Sequence, residues 1–183
     1  TGFVLAGVNG VAAVHMKDIG LDTTYVATVL SAHSIALAGF KFLTGFSYDK
    51  FGLRITMNIC SFAAVTAMLS LAFMTKSHTG MVLAMAYGII SASALPLETI
   101  MLPIYAGDLF GEKSFDKIMG TFVSFNTLGY SVSAFVMGLC YDALGTYRPA
   151  LIACAIVMVG IVVAMQFVLK AAHRCREEII GQQ

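Results

Sequence analysis

Apolar residues in this chain come in long uninterrupted runs, without the strict alternation of a strand or the narrow stripe of a surface helix. Stretches free of Asp, Glu, Lys and Arg cover 1–16, 23–40, 55–75, 77–97, 118–141 and 149–169. A helix needs about 20 mainly apolar residues, with about 17–25 usual, to cross the hydrocarbon core of a bilayer. Five of the six runs reach that range. Continuous rather than alternating hydrophobicity favours helices over the ~10-residue strands of a membrane barrel. The pattern predicts six spans, near 1–16, 24–46, 55–75, 80–107, 118–141 and 148–170, with short polar connections and a tail at 171–183. The first run is short for a span. It has no initiating Met, no basic lead-in and no small-residue cleavage site, so it reads as the remainder of a truncated span rather than a signal peptide.

Composition agrees. The chain has 183 residues, 58% hydrophobic and only 11% charged, with a mean hydropathy of +0.85. A soluble domain carries about 25% charged residues, so this chain cannot cover a water-facing surface, and a soluble enzyme or a disordered chain is excluded. Eleven Lys+Arg against ten Asp+Glu leave a net charge of +1, which argues against a nucleic-acid partner. The expected surroundings are a lipid bilayer.

The few charges orient the spans. If the first span leaves the cytoplasm, Lys50, Arg54, Lys113, Lys117, Lys170, Arg174 and Arg176 lie inside, and Lys17, Lys76 and Arg148 lie outside. Positive residues collect on the cytoplasmic side, so both chain ends are expected there. Tyr25, Tyr48, Tyr105, Tyr141 and Tyr147 stand near predicted span ends, as interfacial aromatics do. Cys60, Cys140, Cys154 and Cys175 show no paired spacing for zinc or a disulfide framework. No metal or cofactor is predicted.

An internal repeat adds organisation. Gly45-Phe-Ser-Tyr-Asp49-Lys-Phe-Gly52 and Gly138-Leu-Cys-Tyr-Asp142-Ala-Leu-Gly145 share Gly, Tyr, Asp and Gly at identical spacing, 93 residues apart. The offset equals three spans, an odd number, so the copies fall on opposite faces of the membrane. That is the trace of an inverted 3+3 repeat.

The fuller copy, Gly45-x-x-x-Asp49-Lys50-x-Gly52-x-Arg54, resembles the signature loop of the major facilitator superfamily. Its place after the second span resembles the loop between helices 8 and 9 of a twelve-helix transporter. Asp108-Leu-Phe-Gly111, and Gly138…Tyr141-Asp142…Gly145 before the last span, resemble the oxalate:formate antiporter and monocarboxylate porter branch. The resemblance implies an all-α membrane protein comprising the C-terminal six-helix half of a transporter, whose partner is a missing N-terminal half. It also implies alternating access for a small-molecule substrate, a small organic anion such as a carboxylate, with protons as a candidate coupling ion. The location implied is the bacterial cytoplasmic (inner) membrane.

Physically, Gly45 permits close helix contact and Gly52 suits a turn of unusual φ. Asp49 can accept backbone N–H groups at a neighbouring helix N-terminus, while Lys50 and Arg54 anchor the cytoplasmic face. Two readings stand: a conformational latch, or a polar turn with orienting charges.

Ionisable groups inside a bilayer cost ~2.5–3.5 kcal/mol even on the mildest scale, so each needs a reason. Lys41 lies one turn before Gly45, with Ser34 on its face and His33 close by. The resemblance places a substrate-binding Arg there; Lys replaces its planar fork by a point charge. An anion site, an ion pair and snorkelling to the interface all remain open. Glu98 lies roughly 13 Å from the end of its span. It shares a face with Tyr87, Ser91 and Tyr105, between the helix-bending Pro96 and Pro103. It is a candidate for proton coupling or for an ion pair with Lys41 or Lys113. Asn126, Tyr130 and Ser133 form a second polar stripe, readable as substrate contacts or interhelical hydrogen bonds. His33 corresponds to Asn126 by the repeat, and Asn9 and His15 are weaker candidates.

The alternatives are a drug or neutral-solute porter of the same superfamily, or a non-transporting sensor or assembly subunit. No enzyme is expected: no phosphate-loop sequence occurs, and no nucleophile–base spacing is present.

Overall fold

A computed structural model describes residues 1–111 and 114–180, with the side chains of 109, 110 and 171–180 excepted. Lys113, expected as an orienting charge and as a partner for Glu98, therefore lies outside the described residues, as do the side chains of Arg174, Cys175 and Arg176.

All described secondary structure is helical. The elements are α1 (Gly2–Asp18), α2 (Thr23–Ala72), α3 (His78–Ala94), α4 (Pro96–Thr99), α5 (Met101–Phe110), α6 (Phe115–Leu144) and α7 (Arg148–Ile180). Four stretches are long and apolar enough to cross a membrane: Thr23–Ala72, His78–Asp108, Phe115–Leu144 and Arg148–Lys170. α1, with 17 residues, is shorter.

The predicted loop at 47–54 is not a loop. Helical backbone continues through Asp49 and Lys50 and is interrupted only at Gly52, with φ 76° and ψ 175°. This conformation is essentially restricted to glycine, so a single residue does the work expected of eight. The chain doubles back there. Ser47 Oγ and Thr56 Oγ1 are 3.1 Å apart, whereas nine residues of straight helix would separate them by ~13 Å. Thus α2 is a hairpin of two arms, 23–51 and 53–72.

Other ends follow local chemistry. Asp22 caps α2 by accepting the N–H groups of Thr24 and Tyr25 at 2.9 and 3.3 Å, and Ser77 caps α3 through Gly80 at 3.2 Å. Gly145, at φ 65°, ends α6 in the left-handed conformation and returns its N–H to Tyr141 O at 2.7 Å. α7 stays helical to Ile180, past the expected end at 170. The predicted span 80–107 is broken into α3, α4 and α5.

The core joins α1 (Val4, Leu5, Val8), the second arm of α2 (Met57, Ala64, Met68, Leu71) and α7 (Leu151, Met158). Small residues allow close approach. A Cβ on Gly129 of α6 would lie 2.8 Å from Phe3 N, and one on Gly88 of α3 would lie 3.0 Å from Val29 O. α6 buries only Ser133 and Met137, which pack against Gly7 of α1, and exposes Phe125, Leu128 and Phe135. Its hydroxyls are satisfied internally: Thr121, Ser124, Thr127 and Ser131 donate to carbonyls four residues back at 2.9–3.1 Å. Such bonding suits a helix with an apolar surround.

Candidate substrate and coupling site

Pro96 and Pro103 each lack an N–H, so neither Ala92 nor Thr99 receives its ordinary helical bond. The chain responds with a tighter turn at Glu98, whose N–H donates three residues back to Leu95 O at 3.1 Å, before Ile100 N–H resumes the ordinary four-residue bond to Pro96 O at 2.9 Å. Glu98 sits on this break. It is 7% exposed, and its Oε2 accepts the Tyr130 hydroxyl of α6. Oε1 is buried with no hydrogen-bond partner among the described residues. Asn126 and the Thr1 end of α1 complete its polar surroundings. The stripes expected on two separate helices therefore meet, with Glu98 on one and Asn126 and Tyr130 on the other.

A second polar chain crosses three helices. His33 Nδ1 lies 3.0 Å from both Ser91 Oγ and Gly88 O. Ser91 is in reach of the Tyr87 hydroxyl, which donates to Asn9 Oδ1 at 2.9 Å. α2, α3 and α1 are linked in this way. Ser133 turns back to Tyr130 O at 2.8 Å, and His15 is buried against Leu71 O at 3.1 Å.

Lys41 does not join Glu98. It is exposed and makes no hydrogen bond or ion pair among the described residues, so the Lys41–Glu98 pair considered from the sequence is not formed. Ser34, on the same face, is exposed and donates to its own helix at Leu30 O, 3.0 Å away. A face shared along one helix does not decide which neighbouring helix it meets.

The Gly45–Arg54 motif also differs from expectation. A Cβ on Gly45 would meet nothing within 4 Å, so no close helix contact depends on it among the described residues. Asp49 is exposed and accepts no helix N-terminus among the described residues. Lys50 places Nζ 5.4 Å from the Phe51 ring centre. Arg54 Nε donates to Gln166 Oε1 of α7 at 2.9 Å, and Gln166 Nε2 donates to Asn58 Oδ1 at 2.5 Å. Tyr48 donates to Asp108 Oδ2 at 2.9 Å. Sequence reasoning passed over Gln166, the one amide in the apolar run of α7, and took Tyr48 for an interfacial marker.

The sequence profile described as Major Facilitator Superfamily matches residues 1–182. The chain belongs to this superfamily. No curated protein and no solved structure is significantly similar to it. As a major facilitator protein with long apolar helices, it is a membrane-embedded transport protein. Among the described residues no three His, Cys, Asp or Glu side chains converge on a metal position.

Proposed function

We propose that this major facilitator chain is the C-terminal six-helix half of a secondary active transporter that moves small organic anions, carboxylates, by alternating access. Lys41 carries the reading. An ammonium within an apolar run is tolerated where it faces a cavity or a partner, and this one has no counter-ion among the described residues. It is free to attract the charge of a substrate, with the polar side chains of Ser34, His33, Asn126 and Tyr130 as candidates for further contacts. Glu98, one carboxylate oxygen bonded and the other free, is the proposed proton carrier.

The hairpin at Gly52 supports six spans: α1, the two arms of α2, the broken α3–α5 segment, α6 and α7. Gly52 and Gly145 hold matching places in the repeat and both take positive φ, which supports the inverted 3+3 arrangement. The missing N-terminal half would supply the other wall of the cavity. The motif from Gly45 through Asp49, Lys50, Gly52 and Arg54 is the proposed latch, held to α7 by Arg54. The likeness to the oxalate:formate and monocarboxylate branch supplies the anion class. A location in a bacterial cytoplasmic membrane, with both ends inside, rests on that likeness and on the positive charges.

The test is uptake of radiolabelled oxalate, formate and lactate by proteoliposomes holding the intact transporter. Lys41→Ala should reduce uptake at least tenfold, and Lys41→Arg should keep much of it. Anion uptake indifferent to Lys41→Ala removes the anion site, and flux of a neutral solute without anion inhibition favours the drug or neutral-solute reading.

A further inference from the structure

A cavity of about 160 Å3 lies beside the helix break at 95–100. Its wall is built by Met57 of the second arm of α2, Leu97 of α4, Met101 and Tyr105 of α5, Phe122 of α6 and Met165 of α7. None of the residues assigned above to the anion, to the proton or to the latch motif is on that wall. Met57, Leu97 and Met101 are buried and give the cavity an inner surface. Tyr105, Phe122 and Met165 are half-buried and leave it an opening.

The wall selects by size and polarity. Only Thr1 and Tyr105 bring polar side chains to it, so a water molecule gains little there. A dry apolar cavity of about 150 Å3 admits benzene, and this one has nearly the same size. Tyr105 and Phe122 have ring centres 6.5 Å apart and planes tilted by 50°, which leaves ring faces and edges to meet a third ring. The thioethers of Met57, Met101 and Met165 are flexible and polarisable and pack well on aromatic edges. A single aromatic ring suits both features, whereas a saturated acyl chain uses neither.

The cavity also lies across the break. Leu97 precedes Ile100, and Met101 and Tyr105 follow it. Where Pro96 and Pro103 have removed two backbone bonds, side-chain packing has to hold the two pieces in register. A ring seated against Leu97 and Met101, and against Met57 and Met165, adds contacts to both pieces at once.

We infer that this cavity is an effector site for a compact apolar molecule carrying one aromatic ring, whose occupancy stiffens the break between α3 and α5. The site is separate from Lys41 and does not depend on the anion reading.

The experiment uses the intact transporter in lipid nanodiscs, labelled with 13C-methyl methionine, and benzene as the probe. Benzene should shift the methyl signals of Met57, Met101 and Met165 by its ring current, saturably, and leave the other methionines of the chain in place. At about twice the dissociation constant of benzene, amide exchange across 97–102 should slow about threefold, the factor by which binding suppresses openings that empty the site. Met165→Phe and Leu102→Phe each add bulk to the wall, and in either variant that folds both responses should vanish. Shifts spread over most methionines, as from benzene dissolved in the bilayer, overturn the inference. Saturable binding with unchanged exchange does so too, as do contacts from the three methyls to lipid acyl chains that benzene does not displace. Neither readout needs a cargo, so failure of anion transport and failure of this site are told apart.

Discussion

The Tyr130 hydroxyl holds one oxygen of the Glu98 carboxyl and leaves the other, buried, with no hydrogen-bond partner among the described residues. Buried polar atoms without partners are rare in folded proteins and point to strain, chemistry or an exchangeable ligand. Glu98 also occupies the weakest stretch of its helix, where two prolines have removed backbone bonds. A change at this carboxyl is therefore felt both by α6, through Tyr130, and by the hinge between α3 and α5.

If Glu98 carries the coupling proton, Glu98→Gln should abolish accumulation driven by a pH gradient while preserving substrate exchange at equal pH. The amide keeps the size of the side chain and an oxygen for Tyr130. The check is a comparison of gradient-driven uptake with counterflow in the same vesicles. Loss of both activities to the same extent would make Glu98 structural. Tyr130→Phe leaves a second carboxylate oxygen unpaired, at a cost of about 1–3 kcal/mol, visible as a lowered midpoint in thermal unfolding in detergent.

The Tyr87–Asn9 bond joins α3 to α1 within the core. Tyr87→Phe and Asn9→Ala should each destabilise by about 1–2 kcal/mol. Because each removes the same bond, the double variant should cost less than the sum, with a coupling of about 0.5–3 kcal/mol. Unfolding midpoints of the four proteins give this directly. Additive losses would mean that the bond contributes nothing.

The difference between what was legible in the sequence and what was not follows from the physics of each feature. Pro96 announces the helix break because a missing N–H acts locally, whatever surrounds it. Gly52 and Gly145 are legible as turn residues for the same reason, and the apolar runs follow from bilayer thickness. Partner choice between helices was not legible. The periodicity placed Glu98, Tyr130 and Lys41 on polar faces, but the packing of α6 against α5 and α1 brings Tyr130 to Glu98 and leaves Lys41 outside. The eight-residue loop was overdrawn because charge was taken to end the helix. Asp49 and Lys50 remain helical, their side chains exposed, and only the backbone of Gly52 has to leave the helix. Gln166 was missed because one amide barely disturbs a strongly apolar run, although it bridges Arg54 and Asn58.

That bridge gives a test of the latch reading. Gln166→Leu removes both bonds without adding volume to an already apolar helix face. Gln166 is half-buried, so the variant should lose about 0.5–1.5 kcal/mol per bond removed and slow transport by freeing Arg54 from α7. Initial rates of uptake beside unfolding midpoints separate the two effects. Unchanged rates would reduce the Arg54–Gln166–Asn58 network to packing of the hairpin.

The glycines of the motif separate conformation from contact. Gly52→Ala must place a Cβ on a backbone at φ 76° and ψ 175°, a region costing about 1–3 kcal/mol for other residues. The new methyl meets no neighbour within 4 Å, so any loss of stability comes from the backbone alone. Gly45→Ala meets equally empty space at a helical position. There alanine improves helix propensity by up to about 1 kcal/mol, so the variant should be neutral or slightly stabilising in the isolated chain. In the intact transporter the two need not keep this order. If a second half packs against Gly45, as the latch reading requires, Gly45→Ala should impair transport while leaving the unfolding midpoint of the isolated chain unchanged or slightly raised. Full transport by Gly45→Ala would show that no helix approaches that glycine, and would leave the motif as a turn that only needs Gly52.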